Sequence, residues 1–391
     1  MHLANKLTSW LETHWATPAY AGWVILGLTT FFLLAASNTL AGWLYVLGGL
    51  GLALLLISAV LPIQSLQGVE VERLPLLPVS VGESLNLGLK VSNPTKTVKS
   101  LLQVYDHPPQ KLGVLSSHSI ADIPPQAAHT WTYTLHPQQR GVYRWHNIQL
   151  RSAAPLGLFW CRRSRPVKAK AIVYPQILPL QYCPLLDNSG HEQDRQYQAQ
   201  QIGPHNHNEG VTRSIRPYRW GDPLRLVHWR TSARHNEFRT RELEMFAGGN
   251  TLVIALDSSG DWHPDQFEQA VIAAASLYAY GQKHQDQMQL WTAQIGLQTG
   301  RQAILETLAQ VQAGEVTVAP LPQHSVIWLT SDPDSMSALP SGSGWLLWPH
   351  PNGSNQYKNI VSRQGEGVVI HAEQPLAVQL QTPIHATRQY R

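Results

Sequence analysis

Two stretches, "YAGWVILGLTTFFLLAA" (residues 20–36) and "LAGWLYVLGGLGLALLLISAVL" (residues 40–61), decide how this 391-residue chain is partitioned. No Asp, Glu, Lys or Arg occurs from Thr13 to Val69. Each run approaches or exceeds the ~20 apolar residues that cross a hydrocarbon core, and each carries Tyr or Trp near an end, where an interfacial aromatic sits. Only Ser37, Asn38 and Thr39 separate the runs. The pair therefore reads as a transmembrane helical hairpin over residues 20–61, with both ends on one side and an N-terminal segment, 1–19, before it. A core helix of a soluble domain fits two adjacent uncharged runs poorly, a cleavable signal peptide is disfavoured because a second span follows directly, and a re-entrant hairpin is the alternative that stays open. Lys6 and the N-terminal amine before the hairpin, with Arg73 after it, put both termini in the cytoplasm by the positive-inside rule.

Composition agrees with a chain that partly avoids water. Only 14% of residues are charged, and the net charge of +4 is too small for a nucleic-acid tail. Cys161 and Cys183 lack metal-ligand spacing and imply no disulfide framework.

Downstream of the hairpin the period changes from helical to two. "VEVERL" (69–74), "ESLNLGLKVSN" (83–93), "HTWTYTLHP" (129–137) and "GVYRWHNIQLRS" (141–152) alternate apolar and polar residues, with Pro94, Pro108, Pro109, Pro124, Pro125, Gly82 and Gly141 at turns. Short strands so spaced predict a β-sandwich domain over 68–176, a spacer or interaction module without catalytic groups. Residues 177–250 then hold a polar, Gln-rich loop, Leu186 to Gly210, and a basic segment. His205 and His207 in that loop form one His-x-His with no third ligand in view and read as solvated.

The basic segment is "IRPYRWGDPLRLVHWRTSAR" (215–234), with Arg at 216, 219, 225, 230 and 234. Asp222-Pro223 predicts a helix start, capped by the Asp side chain, running to about Ala233 with Leu224, Val227 and Trp229 packed. "FRTRELEMF" (238–246) alternates as a strand. Arginines beside aromatics gain cation–π energy, and beside Asp222 or Glu242 they can form paired bonds. A nucleic-acid groove would bring more lysine and a higher net charge.

From residue 251 to 350, strand and helix alternate. "TLVIALDSSGDW" (251–262) suits a buried parallel strand ending in Asp257. A helix follows from Pro264, then the strand "MQLWTA", the helix "RQAILETLAQVQ" and the strand "SVIWLTSD". In such sheets the site lies beyond the carboxyl ends of the strands, where Asp257, Ser259 and Asp332 would gather. Residues 351–391 form a C-terminal tail with a last strand expected in "GVVIHAEQPLAVQLQ" (367–381).

The order Arg216, Tyr218, Gly221-Asp222, Arg225, Trp229-Arg230, Ser232-Ala233-Arg234 resembles the signature of the domain of unknown function 58 (DUF 58) family. The hairpin, "RGVYRWHNIQLRSAAPLGLF" (140–159), "VYP" (173–175) and the apolar strand ending in Asp extend the likeness. Pro217 stands where the family often has an acid. The resemblance implies a multi-pass protein of the bacterial inner membrane with a von Willebrand factor A-like domain, often encoded near MoxR-type AAA+ ATPases, and supplies no established reaction. It implies a metal-ion-dependent adhesion site of the form Asp-x-Ser-x-Ser with a Thr and a distant Asp. Asp257 and Ser259 match, Asp261 replaces the last Ser, and Thr299 and Asp332 are the candidates for the remaining ligands. Such oxygen donors suit Mg²⁺.

Three function classes follow. The leading one is a membrane-anchored interaction or assembly platform, docking through the A-like domain and the arginine motif onto a MoxR-type AAA+ ATPase or other envelope or assembly proteins. A metal-dependent hydrolase or transferase at the membrane is the alternative, although no known catalytic motif is present. Nucleic-acid binding through the arginine cluster is the third and weakest.

Overall fold

A computed structural model describes residues 12, 15–39, 41–187, 211–220, 224–244, 252–284, 287–322, 324–340, 342–349 and 366–382. The chain divides into two compact units, Met1–Tyr174 and Pro175–Arg391.

The first unit opens with two helices, α1 (Tyr20–Thr39) and α2 (Gly42–Leu66), both long and apolar enough to cross a membrane. Ser37 and Thr39, expected in the turn, belong to the last turn of α1. Their hydroxyls donate back to the carbonyls of Leu34 (2.8 Å) and Ala35 (2.7 Å), so they continue the helix instead of breaking it. Helix α2 likewise outruns the expected limit at Leu61. Trp23, Phe31 and Leu34 on α1, and Val46, Leu50 and Leu56 on α2, are exposed, leaving a broad apolar surface with no protein cover. The helices meet through small residues: a Cβ on Gly48 would lie 2.5 Å from Leu33 Cδ2, and one on Gly51 would lie 2.5 Å from Thr29 Oγ1.

Among the described residues of the unit, nine strands follow: β1 (Thr17–Pro18), β2 (Glu70–Arg73), β3 (Val79–Ser80), β4 (Leu85–Asn93), β5 (Lys99–Asp106), β6 (Ser116–Ile123), β7 (Ala127–Leu135), β8 (Gly141–Ser152) and β9 (Phe159–Tyr174). One sheet runs β2-β4-β7. The other runs β1-β9-β8-β5-β6, with β3 added to β9. Alternation works as read: Leu85, Leu87, Leu89 and Val91 of β4 are all fully buried. Leu89, Val91 and Trp131 of the first sheet share a cluster with Leu102, Val104, Ile148 and Leu150 of the second, joined by Leu66 and Val69 at the end of α2.

A polar group sits among these apolar layers. Asp106 and Arg73 pair at 2.7 Å with side chains 0% and 4% exposed. Tyr133 Oη donates to Asp106 Oδ2 (2.7 Å), and Trp145 Nε1 donates to Asp106 Oδ1 (2.9 Å). The guanidinium also lies 4.9 Å over the Trp145 ring. Burial first, and the neighbouring Asp106 second, push the Tyr133 hydroxyl well above its ordinary pKa, so it acts as a fixed donor.

The second unit is built on a six-stranded sheet of β12 (Leu252–Leu256), β13 (Met288–Thr292), β14 (Gly296–Thr299), β15 (Val326–Thr330), β16 (Gly344–Leu347) and β17 (Gly367–Val369), in the order β14-β13-β12-β15-β16-β17. Every neighbouring pair is parallel except β13–β14. Two of its helices are α4 (Pro264–His284) and α5 (Arg301–Gln310). Two expectations are corrected here. The last strand is only Gly367–Val369, and it pairs with β16; "LAVQL" forms a short helix, Leu376–Leu380, that buries Leu380 in the core. Residues 366–382 therefore belong to the sheet unit and are not a separate tail. At the other end, Cys183, Leu185 and Leu186 join the same core, and Tyr280 Oη donates to Asp187 Oδ1 at 3.1 Å. The remainder of the Gln-rich loop, with His205 and His207, lies outside the described residues.

Both cysteines are buried and free. Burial pushes the Cys183 thiol up to about 11, so the thiolate is scarce at neutral pH and grows only as pH approaches that value. Native protein at pH 7 should react slowly with a thiolate-directed reagent at Cys183, faster at pH 10, and at once in denaturant; fast labelling at pH 7 would contradict this burial. For the buried pair, Asp106→Ala should cost about 3–5 kcal/mol in denaturant unfolding of the first unit, followed by tryptophan fluorescence, because it strands the Arg73 cation. Adding Arg73→Met to an Asp106→Leu variant should recover much of that loss.

Candidate functional site

The parallel strands β12 and β15 end side by side, Leu256 opposite Leu329, and the residues just beyond them face one open cavity of about 870 Å³. Asp257, Ser259, Asp261, Thr317, Asp332 and Asp334 contribute to its lining. Asp257 is only 5% exposed. Ser259 Oγ donates to Asp257 Oδ1 (2.8 Å), Thr330 Oγ1 donates to Asp257 Oδ2 (3.0 Å), and Trp262 Nε1 fixes the Asp257 carbonyl (2.6 Å). Thr330 Oγ1 in turn accepts from the Asp332 amide at 3.0 Å. The Asp334 amide donates to Asp332 Oδ1 (3.0 Å), which turns that carboxylate along its own loop. Ser331 Oγ donates to the Asp261 carbonyl at 2.9 Å, tying the loop after β15 to the loop after β12.

The structure thus brings Asp257, Ser259, Asp261 and Asp332 together and leaves Thr299 out. Strand β14 returns antiparallel, so Thr299 pairs with Gln289 near the start of β13, while the cavity lies beyond the other end. The threonines that do reach the site are Thr317, in its lining, and Thr330, bonded to Asp257. Thr330 was legible only as the polar end of the apolar run "VIWLT". Oxygen donors of this kind have the hardness Mg²⁺ requires. Among the described residues, however, no three His, Cys, Asp or Glu side chains are grouped as ion ligands. Both Asp257 oxygens already accept hydroxyl bonds, which an incoming cation would have to replace.

The arginine motif folds as a separate ribbon. Strand β10 (Val211–Pro217) pairs antiparallel with β11 (Arg239–Glu244), and between them lie a single turn, Leu224–Leu226, and α3 (Trp229–His235). The expected helix from Pro223 to Ala233 is interrupted because Val227 bridges Thr240 of β11. Its cap is His228, whose Nδ1 accepts from the Thr231 amide at 3.1 Å. Gly221 and Asp222 lie outside the described residues, as does the Arg225 side chain. Ser232 is a tie rather than a contact surface: buried, it accepts from the Arg239 amide (2.9 Å) and donates to the His228 carbonyl (3.1 Å).

Packing on the ribbon differs from expectation. Val227 is buried, but Leu224 and Trp229 are each 62% exposed. A seven-residue helix has room to bury one side only, and Ser232 occupies it, with Val227 buried just before the helix starts. Trp229 instead meets Phe238 edge-on at 6.0 Å, and Tyr218 meets the same ring at 6.2 Å. Trp220 is fully exposed, and Arg219, Arg230 and Arg234 are exposed too. Arg216 is partly buried and donates to the Pro217 carbonyl at 3.1 Å. Trp220 and Phe238, absent from the sequence-predicted site, are thus exposed as well.

Residues 214–337 match the family described as "Protein of unknown function DUF58". A relative, "Uncharacterized protein YeaD" of Bacillus subtilis (strain 168), is 29% identical over 148 residues, 38% of this chain and 35% of the relative, so the match spans about a third of that protein's length. Among solved structures, the CARDB domain of PF1109 from Pyrococcus furiosus is 16% identical, covers 27% of this chain and 94% of its own, and has a TM-score of 0.20. A β-glucosidase from Listeria innocua is 16% identical over 25% of this chain and 16% of its own, with a TM-score of 0.16.

Replacing Thr330 by Val keeps its shape and removes one donor to Asp257. The variant should lose about 1–3 kcal/mol of stability in thermal unfolding, the cost of an unsatisfied buried acceptor. An unchanged transition would mean that the carboxylate is supported otherwise.

Proposed function

We propose that the protein is a membrane-anchored docking platform: the hairpin fixes it in the bilayer of the inner membrane, the strands of residues 68–174 form a β-sandwich spacer, and the second unit presents the binding surfaces on the cytoplasmic side. The observation that carries this reading is the exposed group Trp220, Trp229, Phe238 and Leu224 interleaved with Arg219, Arg230 and Arg234. Tryptophan and arginine are the side chains that anchor protein interfaces, and large apolar rings left in water favour a partner that covers them. The arginines select an acidic surface. A MoxR-type AAA+ ATPase is the partner implied by the family resemblance, with envelope or assembly proteins as its clients. The reading assigns no bond-making step to the chain.

Two finer assignments belong to it. The sheet order β14-β13-β12-β15-β16-β17, with β14 alone antiparallel, supports a von Willebrand factor A-like fold. Apolar clusters shared by the two sheets of the first unit support the sandwich. A second role is favoured by the cavity: Asp257, Ser259 and Asp332, with Asp261 in place of a serine, would hold Mg²⁺ and leave a coordination position for a carboxylate of the partner.

Pulldown of the full chain from detergent should recover a MoxR-type ATPase, and Trp229→Ala with Arg230→Ala should reduce recovery at least tenfold, the loss of about 1.4 kcal/mol or more that hot-spot truncation brings. Recovery unaltered by the double change would return these residues to scaffold. For the cavity, Mg²⁺ should raise the melting temperature of the full chain, and Asp257→Ala should abolish the rise.

A further inference from the structure

The ends of the hairpin are attached to one strand. At the start of α1, Thr17 and Pro18 pair with Trp160 and Phe159 of β9, and the Ala19 amide donates to the Leu158 carbonyl at 2.7 Å. At the end of α2, Arg165 of β9 donates from Nη2 to the Leu66 carbonyl (3.1 Å), and Lys99 Nζ donates to the Gln64 carbonyl (3.0 Å). The first seven residues of β9, "FWCRRSR", therefore run between the two points where the chain enters and leaves the helices. Beside them, Arg151 of β8 is in register with Arg162 and stacks its guanidinium 4.0 Å over the Trp160 ring. Arg162, Arg163 and Arg165 of β9, with Arg151 beside them, thus line the stretch that joins the two ends of the hairpin. Glu12 is the acid among them, accepting from Arg151 Nε (2.6 Å) and Arg162 Nη2 (3.0 Å). Even so engaged, those two arginines keep 27% and 30% of their side-chain surface open. Leu156, in the apolar loop "AAPLGLF" just before, is exposed, as are Trp15, Tyr20 and Trp23.

We infer that this collar, Arg151, Arg162, Arg163 and Arg165 with Trp160 and Leu156, binds the headgroups of anionic phospholipids in the leaflet from which the hairpin emerges. The occupant follows from position and charge. The collar is continuous with the helices proposed to span the bilayer, on which this inference rests. Its excess cations face the level of lipid phosphates, and planar guanidiniums suit phosphate oxygens. Indole rings and a leucine alongside fit the interface beneath. Anchoring and orientation then share one cause, because a basic collar favours the leaflet whose surface is negative.

The test uses the full chain in phosphatidylcholine vesicles, with spin-labelled phosphatidylglycerol or phosphatidylcholine reporting the lipid immobilised by the protein. The wild type should select phosphatidylglycerol about fivefold, a preference that falls as salt rises. Arg162→Gln with Arg163→Gln should bring the ratio close to one, while Arg162→Lys with Arg163→Lys should retain most of it. Glu12→Gln, which keeps every arginine, should raise it. Equal immobilisation of both lipids by the wild type, or selection unaffected by the Gln pair, overturns the collar while leaving the anchor standing. Release of the protein by alkaline extraction, with neither lipid immobilised, overturns both.

Discussion

The buried carboxylate of Asp106 ties together the two sheets of the first unit. Asp106 accepts from Tyr133 and Trp145 and pairs with Arg73, and these four residues come from β5, β7, β8 and β2, two strands of each sheet. A charge taken out of water is tolerated only where its partners converge, and here those partners come from both sheets. Arg73 follows Leu66 by seven residues, and that short connection transmits the constraint to α2, whose last turn is sunk in the same layer. The path of α2 out of the strands is therefore tied to a polar interaction buried between the sheets.

The second unit treats its buried acid differently. Asp257 is paired with hydroxyls and, among the described residues, with no Lys or Arg. It lies at the edge of an open cavity instead of between sheets. The contrast separates a carboxylate packed between two sheets from one that borders an open cavity.

Much of this was legible in the sequence. The uncharged interval from Thr13 to Val69 gave away the hairpin, although its ends slipped because Ser37 and Thr39 satisfy their hydroxyls within the helix. Alternation exposed β4, β7 and β8; it did not expose β9, whose first half carries arginines where a strand ordinarily alternates. Asp257 and Asp332 were found because apolar runs end in them. Thr299 was misplaced because nothing in "GLQTG" tells a strand that its direction is reversed. The motif was readable as an order of residues, but the outward face of Trp229 depends on the Val227 bridge to Thr240, a contact made across the ribbon and invisible along the chain.

The β10–β11 ribbon has one further implication. Two strands with a short helix make a marginal assembly, and beyond its strand ladder the described ties of this one include the Val227–Thr240 bridge and the Ser232 hydrogen bonds. Such an element opens to solvent more readily than a six-stranded sheet. Were a partner of the proposed kind to close over its aromatic rings, it would shield the backbone amides beneath, and part of the binding free energy would go into quieting local motion.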